Sequence, residues 1–148
     1  MIEMNMRLRS ENTKAKGNIA ELKVATRLME MGLQVYFPFG ENSEADLIVE
    51  LNGLKRVQTK TVKVVNGCCQ IPLTSVCLVK GKYVKRRYQR LDYIACVSDR
   101  GRIYLVPFED VKDCKTTVSL RVDPPKKNTA RTGTPLRMAD KYDITEMG

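Results

Sequence analysis

The sequence predicts a single domain of the α/β or α+β class, and three observations lead to this expectation. The chain has 148 residues, which is within the usual size range of one domain. One segment with helical periodicity is followed by several short apolar segments that are typical of strands. No repeat or low-complexity tract interrupts this order. We therefore expect residues 1–13 to be an N-terminal extension and residues 14–148 to form one domain that includes a C-terminal basic loop region.

The helix is expected from Lys14 to Met31, because Gly32 then stands where a glycine commonly ends a helix. Its apolar residues recur with a period near 3.6. The positions that show this period are Ala15, Ile19, Leu22, Ala25 and Met29.

Short apolar runs predict the strands, with a hairpin signal at Asn52-Gly53 between the second and the third. The fourth run would extend the same sheet. The expected strands are 33–39, 46–50, 55–62, 69–73, 93–97, 102–106 and 117–122, and a turn or short helix is expected at 108–112.

The charge balance suggests a polyanionic partner. There are 26 Lys and Arg against 17 Asp and Glu, a net charge of +9, and nucleic acid is the simplest partner of such a basic domain. The chain contains no histidine, which excludes a Ser-His-Asp triad, a Cys-His pair and a histidine zinc site. Any chemistry must use carboxylates, amides, Lys, Tyr, Cys or a bound ion.

The location expected from the sequence is cytoplasmic. No apolar run approaches the roughly 18 residues that cross a bilayer, and the first residues lack the apolar stretch of a signal peptide. We therefore expect no membrane partner. The five cysteines form no C-x-x-C pair, and they are interpreted as reduced thiols.

Glu21 is an unusual residue of the expected helix. It lies beside Val24, Ala25 and Leu28, on the apolar flank, where a carboxylate is costly unless a cation meets it. It is either a carboxylate at the edge of the core, paired with Lys or Arg, or a carboxylate aimed at a metal or at Lys60.

The hairpin loop decides where Asp46 lies. A two-residue loop at Asn52-Gly53 pairs residue 46 with 59 and turns Asp46 away from Gln58 and Lys60, which share one face. A three-residue loop, 51–53, with Gly53 in the left-handed conformation, pairs 46 with 58. A bulge would have the same effect. A functional site therefore predicts an odd loop or a bulge.

These residues could bind a divalent cation. Asp46 supplies a hard anionic oxygen suited to Mg²⁺, Gln58 an amide oxygen, and Thr59 its main-chain carbonyl. Glu21 could reach the ion directly or through water. Lys60 could orient a water or stabilise negative charge at a phosphate, while the metal would activate water and neutralise that phosphate.

The ordered set resembles the PD-(D/E)XK nuclease superfamily. The matching residues are Glu21 on the first helix, Asp46 at a strand start, and Gln58-Thr59-Lys60 where the family usually has Asp or Glu, any residue, then Lys. Gln58 departs from that pattern, but the branch similar to group I intron-encoded homing endonucleases tolerates it. Further landmarks of that branch lie at 16–18, 91–93, 104–107 and 119–128.

The resemblance covers about residues 14–144. It implies a mixed central β-sheet flanked by helices, in the α/β class, and cleavage of double-stranded DNA with Mg²⁺ or Mn²⁺. It also implies a homo-oligomer, either a dimer or a tetramer. Within it, Glu21, Asp46, Gln58 and Lys60 are the expected catalytic residues, and Asp46, Gln58 and Thr59 the expected metal ligands.

Two basic segments are candidates for DNA contact. The first contains Tyr83 and Tyr88, which would pack on sugars or bases. The alternative interpretation of this segment is a solvated loop or hairpin. The second follows Pro124-Pro125, and its alternative interpretation is a flexible tail. The expected DNA-binding residues are Lys80, Lys82, Lys85, Arg86, Arg87, Arg90, Lys126 and Lys127.

The function expected from this resemblance is that of a site-specific homing endonuclease, and several alternatives remain open. A Holliday junction resolvase or a restriction-type nuclease would use the same fold. A non-catalytic basic DNA-binding protein would carry Gln58 as the trace of a lost site. An RNA-binding module would stack bases on Tyr83, Tyr88 and Tyr93 of one sheet.

Overall fold

The computed structural model describes residues 13–40, 43–124 and 136–146. These residues contain one α-helix, ten strands and two short 3₁₀ helices. In chain order they are α1 (Thr13–Glu30), β1 (Val35–Tyr36), β2 (Leu47–Glu50), β3 (Leu54–Val62), β4 (Val64–Val65), β5 (Cys68–Pro72), β6 (Thr74–Val79), β7 (Lys82–Arg87), β8 (Tyr93–Ser98), β9 (Ile103–Pro107), a 3₁₀ helix (Phe108–Val111), β10 (Thr117–Arg121) and a second 3₁₀ helix (Asp140–Tyr142).

A five-stranded mixed sheet forms the centre of the fold, in the order β1-β2-β3-β8-β9. Strands β3 and β8 are parallel, and the other neighbours are antiparallel. Helix α1 covers one face, where Val24 and Leu28 pack with Val57, Ala95 and Val97 in one apolar cluster. The expected mixed α/β fold is confirmed. The expected N-terminal extension lies almost wholly outside the described residues.

The opposite face of the central sheet is covered by a smaller sheet in the order β10-β5-β4. Ile71 of β5 and Leu120 of β10 are fully buried in the same cluster as Ile94 and Cys96 of β8. The expectation that residues 69–73 extend the central sheet is therefore wrong. Strand β8 occupies the edge of β3, so β5 pairs with β10 and β4 in a separate layer.

The buried face of α1 differs from the expected one. Ala20, Val24 and Leu28, spaced by four residues, are at most 2% exposed, whereas Ile19 and Leu22 are more than half exposed. Met29 is exposed as well. Two apolar stripes run along this helix, and the sheet covers the one with small Ala20, which allows close approach of helix and sheet.

The hairpin between β2 and β3 has a three-residue loop. Glu50 pairs with Leu54 and Leu47 with Val57, which leaves residues 51–53 as the loop. Gly53 has a φ of 102°, which requires a residue without a Cβ, and Asn52 is also left-handed at 53°. The odd loop and the left-handed Gly53 are both confirmed. Asp46 immediately precedes β2. Because Leu47 pairs with Val57, the next residue of β3 on that side is Gln58.

Strands β6 and β7 form a two-stranded ribbon that stands apart from both sheets. Lys80 and Gly81 make its turn with φ angles of 49° and 76°. The first of the two basic segments, for which a loop or hairpin was the alternative to DNA contact, forms the turn and the second strand of this ribbon. Strand β6 carries no alternating pattern and was not expected.

The remaining expectations concern membranes and cysteines. No helix in the described ranges is long and apolar enough to cross a membrane. All five cysteines lie within the described ranges and are free thiols, as expected.

Candidate active site

Asp46 lies where β2 leaves the ladder with β3. Its N–H donates to the Val57 carbonyl at 2.8 Å, and its carboxylate Oδ2 accepts the Thr59 N–H at 2.9 Å. A side-chain oxygen thus replaces the main-chain acceptor that a longer β2 would supply. The Thr59 carbonyl leaves β3 on the same side as its N–H, because both polar groups of a strand residue point to one edge. The Asp46 carboxylate and the Thr59 carbonyl therefore border the same gap between two strands.

Three charged side chains interact at this gap. Burial raises the pKa of Glu21, and the charge of Asp46 and a hydrogen bond between the two carboxyl groups raise it further. Burial also raises the pKa of Asp46, although the Thr59 N–H and the Lys60 ammonium oppose this. The pKa of Lys60 is lowered by burial, against the attraction of Asp46. The raised pKa values mean that the two carboxyl groups do not readily ionise at the same time. A bound cation would stabilise the state in which both are ionised.

Gln58 lies on the same face of β3 as Lys60, because side chains two apart in a strand share a face. It lines a cleft of about 500 Å³ together with Asp46. The opposite wall belongs to the ribbon, whose Ser75, Cys77 and Arg86 line the same cleft. Asp46 and Gln58 therefore face Arg86 of the ribbon across an open cleft.

The Lys60 ammonium lies over the ring of Tyr88. Tyr88 is only 4% exposed, and burial together with the charges of Asp46 and Glu44 raises the pKa of Tyr88 to about 12. Its hydroxyl consequently stays protonated at neutral pH. The ring face attracts the ammonium and restrains its position beside Asp46.

Glu44 fixes the backbone that follows Tyr88. Its Oε1 accepts the N–H groups of Gln89 at 3.0 Å and Arg90 at 2.7 Å. Glu44 is not among the residues expected from the sequence, and Tyr88 is expected there to pack on DNA. No periodic signal could have paired these residues, because the contact joins positions 45 apart in the chain.

The donor groups fit a hard divalent cation. They are all oxygens: the carboxylates of Asp46 and Glu21, the amide of Gln58 and the carbonyl of Thr59, which is the set that Mg²⁺ prefers. The described residues contain no cluster of three or more Asp, Glu, Cys or His side chains suited to a metal. Of the four expected catalytic residues only Glu21 and Asp46 carry carboxylates, because Gln58 is neutral.

The ribbon presents most of the expected DNA-binding side chains to solvent. Lys80, Lys82, Lys85 and Arg86 are all exposed, and Arg90, just beyond the ribbon, is exposed as well. Arg86 pairs with Ser75 on the face that lines the cleft.

The remaining expected DNA-binding residues differ from these. The Arg87 guanidinium donates to the carbonyls of Cys114 at 3.1 Å and Val111 at 3.0 Å, and it lies 4.6 Å from the centre of the Phe108 ring. These contacts attach the end of β7 to the 3₁₀ helix. Lys126 and Lys127 lie outside the described residues.

The three tyrosines do not share a sheet. Tyr83 is 80% exposed on the ribbon, Tyr93 is half-buried in β8, and Tyr88 is buried between strands. The expectation that Tyr88 packs on sugars or bases is therefore wrong, because the core already covers its ring. The same burial removes the stacking platform on which the RNA-binding alternative depended.

Comparisons with known proteins agree with this geometry. The sequence model of a family described as PD-(D/E)XK endonuclease matches residues 11–144. The fold is similar to that of a bacterial homing endonuclease, I-Ssp6803I, with a TM-score of 0.68 and 20% sequence identity over 89% of this chain and 88% of that one. No curated protein matches the sequence.

Proposed function

Because the chain belongs to the PD-(D/E)XK endonuclease family and is therefore a nuclease, a hydrolase acting on DNA, we propose that it is a Mg²⁺-dependent, site-specific endonuclease for double-stranded DNA. The observation that carries this proposal is the convergence of Glu21, Asp46 and Lys60 beside the Thr59 carbonyl. A homing role is supported by the likeness in fold to a homing endonuclease.

Each residue has a distinct role in the proposed reaction. Asp46, Gln58 and the Thr59 carbonyl would hold the ion, and Glu21 would support it directly or through water. A bound Mg²⁺, or Mn²⁺ in its place, supplies a Lewis acid that activates water and offsets phosphate charge. Lys60 orients the attacking water and stabilises the charge that develops on the phosphate.

The ribbon would bind the duplex. Lys82, Lys85 and Arg86 carry three positive charges on one strand, and each phosphate contact releases counterions. A two-stranded ribbon also fits the major groove, where bases can be distinguished. We therefore assign to this ribbon the main electrostatic contact with DNA.

The central experiment is a cleavage assay on long duplex DNA with Mg²⁺ or with chelator. Asp46→Asn and Lys60→Ala should each lower the cleavage rate by about 100-fold or more. Matched controls on the same strands are Glu50→Gln and Lys55→Ala, which should cut like the wild type. Binding without cleavage under every divalent ion would instead support a non-catalytic DNA-binding protein.

Two further assays test the finer parts of the proposal. A library of randomised duplexes should yield one long preferred sequence, whereas short or palindromic preferences favour a restriction-type enzyme. Cleavage confined to four-way junctions favours a resolvase. The proposed dimer or tetramer rests on the family resemblance. Sedimentation equilibrium should therefore give a mass of two or four times that of the chain.

A further inference from the structure

A second basic concavity shares no residue with the cleft. Its volume is about 430 Å³, and it lies between the first half of α1 and the ends of β3 and β8. Lys16 and Lys23 come from α1, and Lys63 directly follows β3. Apolar side chains such as Ile19 and Val97 line it between the lysines. We call these three lysines and the space between them the lysine pocket.

The charges of the lysine pocket are not neutralised within the described chain. No Asp or Glu in the described ranges lies within 4.0 Å of the ammonium groups of Lys16, Lys23 or Lys63. Asp99 is a carboxylate on the rim, and its Oδ1 accepts the Val64 N–H at 3.0 Å. Three exposed ammonium groups around one engaged carboxylate leave a net positive surface.

The position of the pocket relates it to the reaction. Lys63 follows Lys60 by three residues of extended chain, which is about 10 Å. That length corresponds to about three base pairs along a DNA strand. The ribbon borders the cleft at Asp46 and Gln58, whereas the lysine pocket begins at Thr61, farther along β3. The lysine pocket lies on the α1 face of the central sheet and the cleft lies on the other face. A duplex laid across Asp46 and Glu21 would therefore have the ribbon on one side and the lysine pocket on the other.

We propose that Lys16, Lys23 and Lys63 bind the phosphate backbone of the duplex, on the side of the scissile phosphate opposite to the ribbon. The inference rests on the proposed function for its substrate. Lysine binds phosphate as a point charge, so the pocket contributes affinity and position and does not read bases. The duplex is thereby held on both sides of the bond to be cut.

The salt dependence of binding tests the contact. A triple variant, Lys16→Gln, Lys23→Gln and Lys63→Gln, is compared with the wild type on a random-sequence duplex in chelator. The slope of log K against log salt should become shallower by about 2–3, since each lost phosphate contact changes it by about 0.9. The charge-matched control carries Lys55→Gln, Lys115→Gln and Lys141→Gln at other places on the surface. Equal slopes for the two triple variants overturn the proposal.

Shortened duplexes test the side on which the pocket acts. A duplex that contains a cleaved site is trimmed to about three base pairs beyond the scissile bond, first on one side and then on the other. Trimming the pocket side should weaken wild-type binding and leave the lysine variant unaffected. If the variant remains as sensitive as the wild type to both trims, the assignment of this side is overturned.

The two proposals fail in different ways. Binding in chelator needs no cleavage, so a shallower salt slope in a protein that never cuts would keep the lysine pocket and remove the nuclease mechanism. Normal Mg²⁺-dependent cutting with an unchanged salt slope would remove the lysine pocket alone.

Discussion

The Nζ atom of Lys60 lies 5.1 Å from the centre of the Tyr88 ring, on the side of the central sheet that faces the cleft. An ammonium on a flexible four-carbon chain is thereby restrained by a buried aromatic face. Glu44 holds the backbone after Tyr88 through the N–H groups of Gln89 and Arg90. The position of a proposed catalytic lysine thus depends on a loop that is far away in the sequence.

Replacing the ring of Tyr88 should lower kcat. Tyr88→Leu removes the aromatic face, and we expect kcat to fall by about tenfold with KM nearly unchanged, because the Tyr88 ring is only 4% exposed and offers DNA little surface to contact. Tyr88→Phe keeps the face and should cut at close to the wild-type rate. Thermal unfolding of both variants controls for loss of fold. Equal activity of the Leu and Phe variants would contradict a positioning role for the ring.

Gln58 should behave as an oxygen ligand of the ion. Gln58→Glu keeps an oxygen at the same position, so cleavage and its Mg²⁺ dependence should persist. Gln58→Ala removes that oxygen and should lower the cleavage rate at least about tenfold at limiting Mg²⁺. Initial rates across a Mg²⁺ titration measure both effects. Wild-type cutting by the Ala variant would show that Gln58 is not a ligand.

Thr59 should contribute through its backbone alone. Its Oγ1 is buried and has no hydrogen-bond partner among the described residues. Thr59→Val keeps the shape and the main-chain carbonyl, so cleavage should be unchanged while the free energy of unfolding rises by about 1 kcal/mol. Urea unfolding at constant m-value measures this change. Thr59→Ala, which also removes a methyl group, serves as the control, and a destabilised Val variant would mean that the hydroxyl is paired.

Asp143 should stabilise the fold except in acid. Burial alone would raise its pKa, but hydrogen bonds from Thr145 and the Arg102 guanidinium, at 2.6 and 2.9 Å, hold the pKa of Asp143 below its usual value. A lowered pKa in the folded state means that the stabilisation is complete above about pH 4 and is lost as pH falls through the lowered value.

The variant Asp143→Asn isolates this contribution. It should unfold more easily than the wild type at neutral pH, and the difference between the two should shrink as the pH falls below about 4. Urea unfolding across that range is the measurement. Asp140→Asn, at the start of the 3₁₀ helix that precedes Asp143, is the control. A stability difference that does not change with pH would show that ionisation of Asp143 plays no part.

Local rules were sufficient for the elements of the central sheet, whereas the hairpin register also needed the assumption of a functional site. Asn52-Gly53 allowed a loop of two or three residues, and the structure has the three-residue loop with Gly53 left-handed. Because side chains alternate along a strand, that loop also determines the faces of Gln58 and Lys60 relative to Asp46. The absence of histidine likewise limits the possible chemistry from the sequence alone.

The sequence by itself therefore determined the hairpin, the oxygen-rich donor set and the basic charge of this protein. Only the tertiary structure decided which stripe of α1 is buried, that Tyr88 lies beneath Lys60, and that Arg87 is attached to a 3₁₀ helix. The physical reason is the range of the interactions. Turn geometry and strand alternation act over a few neighbouring residues, whereas burial and ring contacts depend on which distant elements the whole fold brings together.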